Sequence, residues 1–104
     1  MSVDVTTFYN LDPVLHEKGR LALVSVLATA ESLSFRELKE ITKMTDGNLS
    51  VHMRTLEDAG YVTVTKSFVD RRPRTQYALT RKGRQAFTDY IAGLERIVQA
   101  AKTR

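Results

Sequence analysis

Residues 34–60 carry two short helical patterns separated by a turn of a few residues, and this arrangement constrains the fold more than any other feature. The first pattern opens on Ser34 and Glu37, whose spacing allows the two side chains to cap a helix reciprocally. Leu38 and Ile41 then supply its apolar side. Because isolated helices of this length are marginal in water, the pair must be stabilised by packing against other elements.

Both ends of the second helix are marked in the sequence. Thr45 is a favourable N-cap, and Gly60 suits the left-handed residue that ends many helices. Apolar residues at positions i, i+4 and i+7 define one buried face, namely Leu49, Met53 and Leu56. We therefore predict a helix over about residues 46–59 whose opposite face is free to contact a ligand.

A β-hairpin is predicted directly after this helix. Residues 61–68 alternate apolar with polar side chains and are rich in β-branched and aromatic types, which indicates a strand. A second strand follows over residues 75–79, with Tyr77 and Leu79 on one face. The intervening residues 69–74 form a polar, basic turn.

Positive charge is concentrated in and around this hairpin. Residues 61–84 contain seven basic residues against Asp70 alone, a net charge of +6, whereas the whole chain carries +4. Three of these basic residues occur in a single stretch of five, residues 70–74, which forms the turn: Arg71, Arg72 and Arg74. Such a dense local cluster is typical of a surface that binds a polyanion.

A longer helix is predicted on each side of this segment. The first should start near Asp12 and Pro13, and its apolar residues form two stripes. The last should be capped by Thr80 and run over about residues 80–101, a length of about 30 Å, which exceeds what one small domain can cover. We therefore predict a homodimer that buries apolar residues of both helices, namely Leu23, Val26, Tyr90, Ile91, Leu94, Ile97 and Val98.

The order helix, helix, helix, strand, strand, helix predicts an α+β, mostly helical, winged helix-turn-helix fold: three helices, a two-stranded wing hairpin and a long C-terminal dimerisation helix. Residues 11–104 would form one domain after an N-terminal segment of residues 1–10. The helix over residues 46–59 fits the major groove of DNA, and the wing over residues 69–75 reaches the backbone or the minor groove. The predicted DNA-binding residues are Thr45, Gly47, Asn48, Ser50, Val51, His52, Arg54, Lys66, Arg71, Arg72 and Arg74.

Other classes of function find little support in the sequence. The chain has no cysteine, which argues against disulfides and thiolate metal sites and fits a cytoplasmic protein. No catalytic motif is present, so we expect no enzymatic activity and no cofactor or metal. The longest apolar run, Leu21–Ala30, is too short to cross a membrane, and residues 1–10 do not resemble a secretory signal.

Two segments resemble the MarR and ArsR groups of winged helix transcriptional regulators: Thr45–His52, and Leu56–Val62 with its Glu-Asp-Ala-Gly centre. The wider resemblance is to a short, stand-alone winged helix family related to MarR and covers about residues 11–98, through the segments Leu11–His16, Ser34–Phe35, Arg72–Thr75, Leu79–Arg84 and Ala86–Phe87. It implies a dimeric DNA-binding transcriptional regulator whose first and last helices form the dimer interface. The chain differs from metal-sensing ArsR proteins in lacking cysteine and from typical MarR proteins in being shorter, and no residues single out a pocket for a small-molecule effector.

Two alternatives remain at this point. The same fold could hold partner proteins, or it could bind DNA without regard to sequence, as architectural proteins do. The basic and polar side chains predicted on the helix and the wing favour nucleic acid over a protein partner. His52, at the edge of the inward face, either flanks the DNA contact or is a half-buried structural residue.

Overall fold

The computed structural model describes residues 4–103, and this part of the chain contains five helices and three strands. In chain order these are α1 (Val5–Tyr9), α2 (Lys18–Leu27), β1 (Leu33–Ser34), α3 (Phe35–Thr42), α4 (Asp46–Asp58), β2 (Val62–Val69), β3 (Arg72–Leu79) and α5 (Arg81–Lys102). The three strands form one antiparallel sheet in the order β1–β3–β2. The predicted winged helix fold is confirmed, with α3 and α4 as the helix-turn-helix pair and β2–β3 as the wing.

The predicted helix caps are present. Ser34 and Glu37 form the reciprocal capping box at the start of α3. The Thr45 hydroxyl accepts the Asn48 N–H at 3.2 Å, and the Thr80 hydroxyl accepts the Gly83 N–H at 2.9 Å. These side chains satisfy N–H groups that a helix cannot pair internally, and they fix where α3, α4 and α5 begin.

The predicted start of the first long helix is wrong. The helix α2 begins at Lys18, and Glu17 caps it by accepting the Arg20 N–H at 2.8 Å. Asp12 instead caps an isolated turn, in which its carboxylate accepts the Val14 N–H at 2.8 Å. This turn still carries Leu15 into the core, so the apolar periodicity continues across a break in the helix.

A short helix lies in the N-terminal segment for which no element was predicted. Asp4 caps α1 by accepting the Thr6 N–H at 2.9 Å, and α1 packs against α5. None of its residues is buried, which explains why the sequence shows no apolar stripe there. The packing of α1 adds a layer to the side of α5.

The turn of the wing is shorter than predicted. Only Asp70 and Arg71 lie between the strands, with φ angles of 52° and 66°. Positive φ at both central residues is the geometry of two-residue turns that match the twist of a hairpin. Pro73 is therefore part of β3, opposite Phe68, where its nitrogen faces away from β2 and no hydrogen bond of the pair is lost.

The core lies where α2, α3 and α4 meet the sheet. Its fully buried side chains are Leu15, Leu23, Val24, Leu27, Leu38, Leu49, Met53 and Leu56. Leu23, expected to supply unmatched apolar surface for a dimer, has no exposed surface, and Tyr90, also predicted at the interface, is only 5% exposed, so neither offers apolar surface to a second copy. Helical spacing identified both as apolar but could not tell which neighbour covers them.

The domain is nevertheless elongated. Its radius of gyration is 16.0 Å, against about 13 Å for a compact domain of this length. The helix α5 has 22 residues, about 33 Å, and its last turns extend past the core. Within residues 4–103 no helix is long and apolar enough to span a bilayer.

Candidate nucleic-acid interface

The helix α4 presents a polar outer face because its apolar residues are all turned to the core. Leu49, Met53 and Leu56 are buried, and the opposite side is exposed. Val51 is the one large apolar residue there, with 64% of its surface exposed. The remaining exposed residues of this face that were predicted to bind DNA are Gly47, Asn48, Ser50 and Arg54.

The polar groups of this face are available to a ligand. Among residues 4–103, neither the Asn48 amide nor the Arg54 guanidinium has a hydrogen-bond or ion-pair partner. Asn and Arg side chains can each form two hydrogen bonds to the edge of one base, and a valine can contact a thymine methyl group. Thr45, also predicted to bind DNA, uses its hydroxyl oxygen as the cap of α4, which leaves its O–H free to donate.

The start of α4 is joined to α3 by an ion pair that sequence inspection missed. Lys39 Nζ lies 2.7 Å from Asp46 Oδ1, and both side chains are largely exposed. The Lys39 ammonium thereby neutralises the negative charge of Asp46 at the N-terminus of α4. An exposed pair like this adds little stability, so its main effect is on the local charge.

His52 faces the domain rather than the outer surface of α4. Its side chain is 21% exposed, and Nδ1 lies 3.4 Å from Arg20 Nη1 and 3.7 Å from Glu17 Oε1. Arg20 in turn donates from Nε to the Val14 carbonyl at 2.7 Å. The three side chains thus connect α4 to the start of α2, and this placement gives His52 contacts within the protein instead of an open approach to DNA.

The carboxylate in this cluster is held in its charged form. The Arg20 backbone N–H is the largest influence that lowers the pKa of Glu17, and the Gly19 N–H and electrostatic interactions with His52 and Arg20 act in the same direction. Burial opposes them. Glu17 is therefore a stable anionic partner for the Arg20 guanidinium and the His52 ring beside it.

Gly19 allows α2 to approach this histidine closely. A Cβ atom on Gly19 would lie 2.9 Å from His52 Nε2 and 3.0 Å from Glu17 Oε1, which is closer than such contacts normally occur. We expect Gly19→Ala to lower the free energy of unfolding by about 1 kcal/mol, because overpacking outweighs the helix propensity of alanine. Urea unfolding of this variant measures the loss.

The same substitution in a His52→Ala background is the matched control. Without the imidazole only the contact with Glu17 Oε1 at 3.0 Å remains, so Gly19→Ala should then cost clearly less stability than in the wild-type background. If the effects of the two substitutions simply add, the close contact does not limit the packing of α2 on α4.

The strand register divides the wing into two faces. Residue pairs across the strands share a face, and these pairs place Lys66 with Phe68, Pro73 and Thr75. Ser67, Val69, Arg72 and Arg74 lie on the other face. Of the predicted wing contacts, Lys66 is therefore separated from Arg72 and Arg74, while Arg71 stands at the tip.

Arg74 also makes contacts inside the domain. With the Gln76 amide oriented to satisfy its neighbours, its oxygen accepts from Arg74 Nε and Nη2 at 2.9 Å, and its nitrogen donates to the Ser32 hydroxyl at 2.8 Å. The pKa of Glu37 is lowered, chiefly by the Ser34 backbone N–H and hydroxyl and in part by the charge of Arg74. Arg74 is thus partly committed to the base of the wing, whereas Arg71 and Arg72 are exposed and have no such contacts among residues 4–103.

Open space separates the wing from the start of α3. A cleft of about 550 Å³ lies there, bordered by Arg36, Arg72 and Arg74 and by the carboxylate of Glu37. Because the cleft is adjacent to both the helix-turn-helix pair and the wing, an anionic chain has access to cations on two sides of it.

The sequence of the domain matches one protein family over most of its length. The family model described as a winged helix DNA-binding domain matches residues 20–98. The chain belongs to this winged helix family. The predicted resemblance to a winged helix family is therefore confirmed.

Known relatives of this winged helix protein agree with that result. An uncharacterized protein from Methanocaldococcus jannaschii is 40% identical over 72 residues, which cover 69% of this chain and 78% of the relative. A transcriptional regulator homologue from Pyrococcus horikoshii OT3 superposes with a TM-score of 0.87 at 24% identity, over 92% of this chain and 97% of that one.

A third comparison includes DNA. The MarR family transcriptional regulator Sco3205 from Streptomyces coelicolor, whose structure was solved in complex with DNA, has a TM-score of 0.69 at 24% identity. The superposition covers 96% of this chain and 67% of that one. At this level of identity the two structural likenesses show a shared fold.

A second cavity of the winged helix domain lies away from α4 and the wing. It measures about 800 Å³ and opens between α1 and α5. At its edge the Tyr61 hydroxyl donates a hydrogen bond to the Asp12 carboxylate, and Lys82 Nζ lies 5.8 Å from the centre of the Tyr61 ring. Burial and then Asp12 raise the pKa of Tyr61 to about 12. These contacts fix the 11–16 segment to the start of β2.

Proposed function

We propose that this winged helix protein is a homodimeric transcriptional regulator that binds double-stranded DNA in a sequence-specific manner. In this proposal α4 enters the major groove and the wing lies on the backbone or in the minor groove. The observation that carries it is the combination of a free polar face on α4 with a cationic hairpin next to it. Its DNA-bound relative in fold, Sco3205, supports the same assignment. With chromosomal DNA as its ligand, the protein would act in the cytoplasm and not as an enzyme.

Dimerisation is proposed on the shape of the domain and on α5. The end of α5 extends beyond the core, and Val98 is 47% exposed while Ile97 is half-buried. A second copy packed along this end would cover these side chains and bring two recognition helices to one duplex. After the removal of Leu23 and Tyr90, the proposed interface contains Val26, Ile91, Leu94, Ile97 and Val98.

The proposed roles of α4 and the wing can be separated by substitution. We expect Asn48→Ala or Arg54→Ala to relax base preference at one position by about 1–3 kcal/mol. Arg72→Ala should instead weaken binding to all duplexes alike and reduce the slope of log affinity against log salt by about one. Fluorescence anisotropy with a duplex selected by the wild-type protein from a randomised pool, and with single-base variants of it, measures both effects.

Arg96→Ala is the matched control, because it removes one positive charge from α5, away from α4 and the wing. It should leave affinity and salt slope nearly unchanged. Unchanged base preference in both α4 variants, with binding still salt-dependent, would favour the architectural alternative. A wild-type protein that binds no duplex at low salt would leave the protein-interaction alternative.

A further inference from the structure

An exposed aromatic side chain stands near the tip of the wing, among its cations. Phe68 is 77% exposed, and it lies directly across the strands from Pro73 on one face of the hairpin. Lys66 shares that face, and Arg71 follows at the tip. Neither the base-reading role of α4 nor phosphate binding by the arginines accounts for an apolar pair at this position.

The partner of this face must accept apolar and cationic groups side by side. A protein partner would have to supply carboxylates for Lys66 and Arg71 beside an apolar patch for Phe68, because a charge buried there without a partner is costly. The minor groove of DNA does offer both, because deoxyribose rings and base edges line its walls and phosphates form its rims. The charge of the hairpin therefore selects the duplex among the possible partners.

The hairpin holds the pair in place before any ligand arrives. A two-residue turn closes the strands, and the ring of Pro73 restricts the backbone opposite Phe68. Little conformational freedom remains to be lost on binding, so an apolar contact here can add to affinity.

We propose that Phe68 and Pro73 form an apolar contact surface that packs on deoxyribose and base edges in the minor groove, while Lys66 and Arg71 contact the flanking phosphates. The proposal rests on the DNA-binding function proposed above and specifies which face of the wing meets the duplex. The face of Lys66 and Phe68 makes the apolar contact inside the groove, while Arg72, on the opposite face next to the tip, reaches a phosphate at the rim.

Hydroxyl-radical footprinting tests this directly, because the radical attacks deoxyribose in the minor groove. On the duplex selected by the wild-type protein, we expect protection of sugars on the side reached by the wing. Phe68→Ala should lose that protection and bind about tenfold more weakly with an unchanged salt slope, since no phosphate contact is removed. Phe68→Leu should keep most of the sugar protection and most of the affinity, because leucine preserves an apolar side chain at this position.

Val69→Ala is the matched control, because Val69 neighbours Phe68 but lies on the opposite face and is 43% exposed. It should footprint like the wild type. Phe68→Ala with normal affinity and normal protection would overturn this proposal while leaving the DNA-binding function intact. A change in oligomeric mass in Phe68→Ala would also overturn it, by assigning the side chain to contacts between copies. A wild-type protein that protects no duplex would remove the proposed function itself.

Discussion

Replacing Gly83 by alanine should lower the free energy of unfolding by about 3 kcal/mol. A Cβ atom at this position would lie 2.2 Å from the Tyr61 carbonyl oxygen and 2.9 Å from the Tyr61 carbonyl carbon. These are backbone atoms, so no side-chain rotation can relieve the overlap. The same carbonyl accepts the Thr80 N–H at 2.9 Å, and any shift of α5 would weaken that bond as well.

Chemical denaturation followed by circular dichroism measures the free energy of unfolding of the Gly83→Ala variant. Gly47→Ala is the control. A Cβ on Gly47 would meet nothing within 4 Å, and alanine has the higher helix propensity. Gly47→Ala should therefore be neutral or stabilise the protein by up to about 1 kcal/mol. Equal stability of the two alanine variants would mean that α5 does not depend on its close approach to the start of β2.

Introducing a charge near the end of α5 should break the proposed dimer and weaken DNA binding by about 10²–10⁴-fold. In Val98→Asp a carboxylate would have to be buried between two copies without a partner, which is unfavourable. Within one copy Val98 is 47% exposed, so the domain itself should stay folded. The affinity falls because each copy would then hold the duplex through one recognition helix instead of two.

Light scattering measures the oligomeric mass and fluorescence anisotropy measures the DNA affinity. Both on the same samples show whether loss of the dimer accompanies loss of affinity. Gln99→Asp adds the same charge one residue further along, at an exposed position about 100° around the helix, and should remain dimeric with near-normal affinity. A wild-type protein that is a monomer at micromolar concentration contradicts the dimer. A monomeric Val98→Asp variant that binds as tightly as the wild type contradicts the link between assembly and affinity.

Local chemistry made much of the fold predictable. Ser34, Thr45 and Thr80 were identified as caps because a hydroxyl must stand at a fixed distance from the N–H it accepts, and that distance is encoded in sequence spacing. Gly60 was predicted to be left-handed and has a φ of 81°. By contrast, the left-handed Lys43 that ends α3 carries no such sequence signal.

The predictions that were wrong concern positions where two local signals compete, or where contacts between distant parts of the chain determine the structure. Asp12 and Pro13 form a good helix start, but the carboxylate of Glu17 provides a second one, and the chain uses each for a different turn. In the wing, Pro73 suggested a longer turn, because nothing local shows that its nitrogen faces an open edge of the sheet. The burial of Leu23 depends on elements distant in sequence.

In the candidate site, too, some features follow from local sequence spacing and others depend on how distant parts of the chain pack together. The free face of α4 follows from the spacing of its buried residues, so Asn48 and Arg54 could be named in advance. The partners of His52 and Arg74 could not, because Glu17 and Arg20, or Gln76 and Ser32, approach only after α2 and the sheet have packed.

The turn at Asp70 and Arg71 has a consequence for how such a protein can change over evolutionary time. Both residues hold a backbone conformation that glycine or asparagine adopts more easily, so the hairpin sacrifices some stability to keep side chains at its outermost point. An Asn-Gly turn would strengthen the same hairpin but would remove the charge that reaches furthest from the domain. Stability and reach are therefore opposed at these two positions, and sequence change there can adjust the strength of DNA binding without disturbing the core.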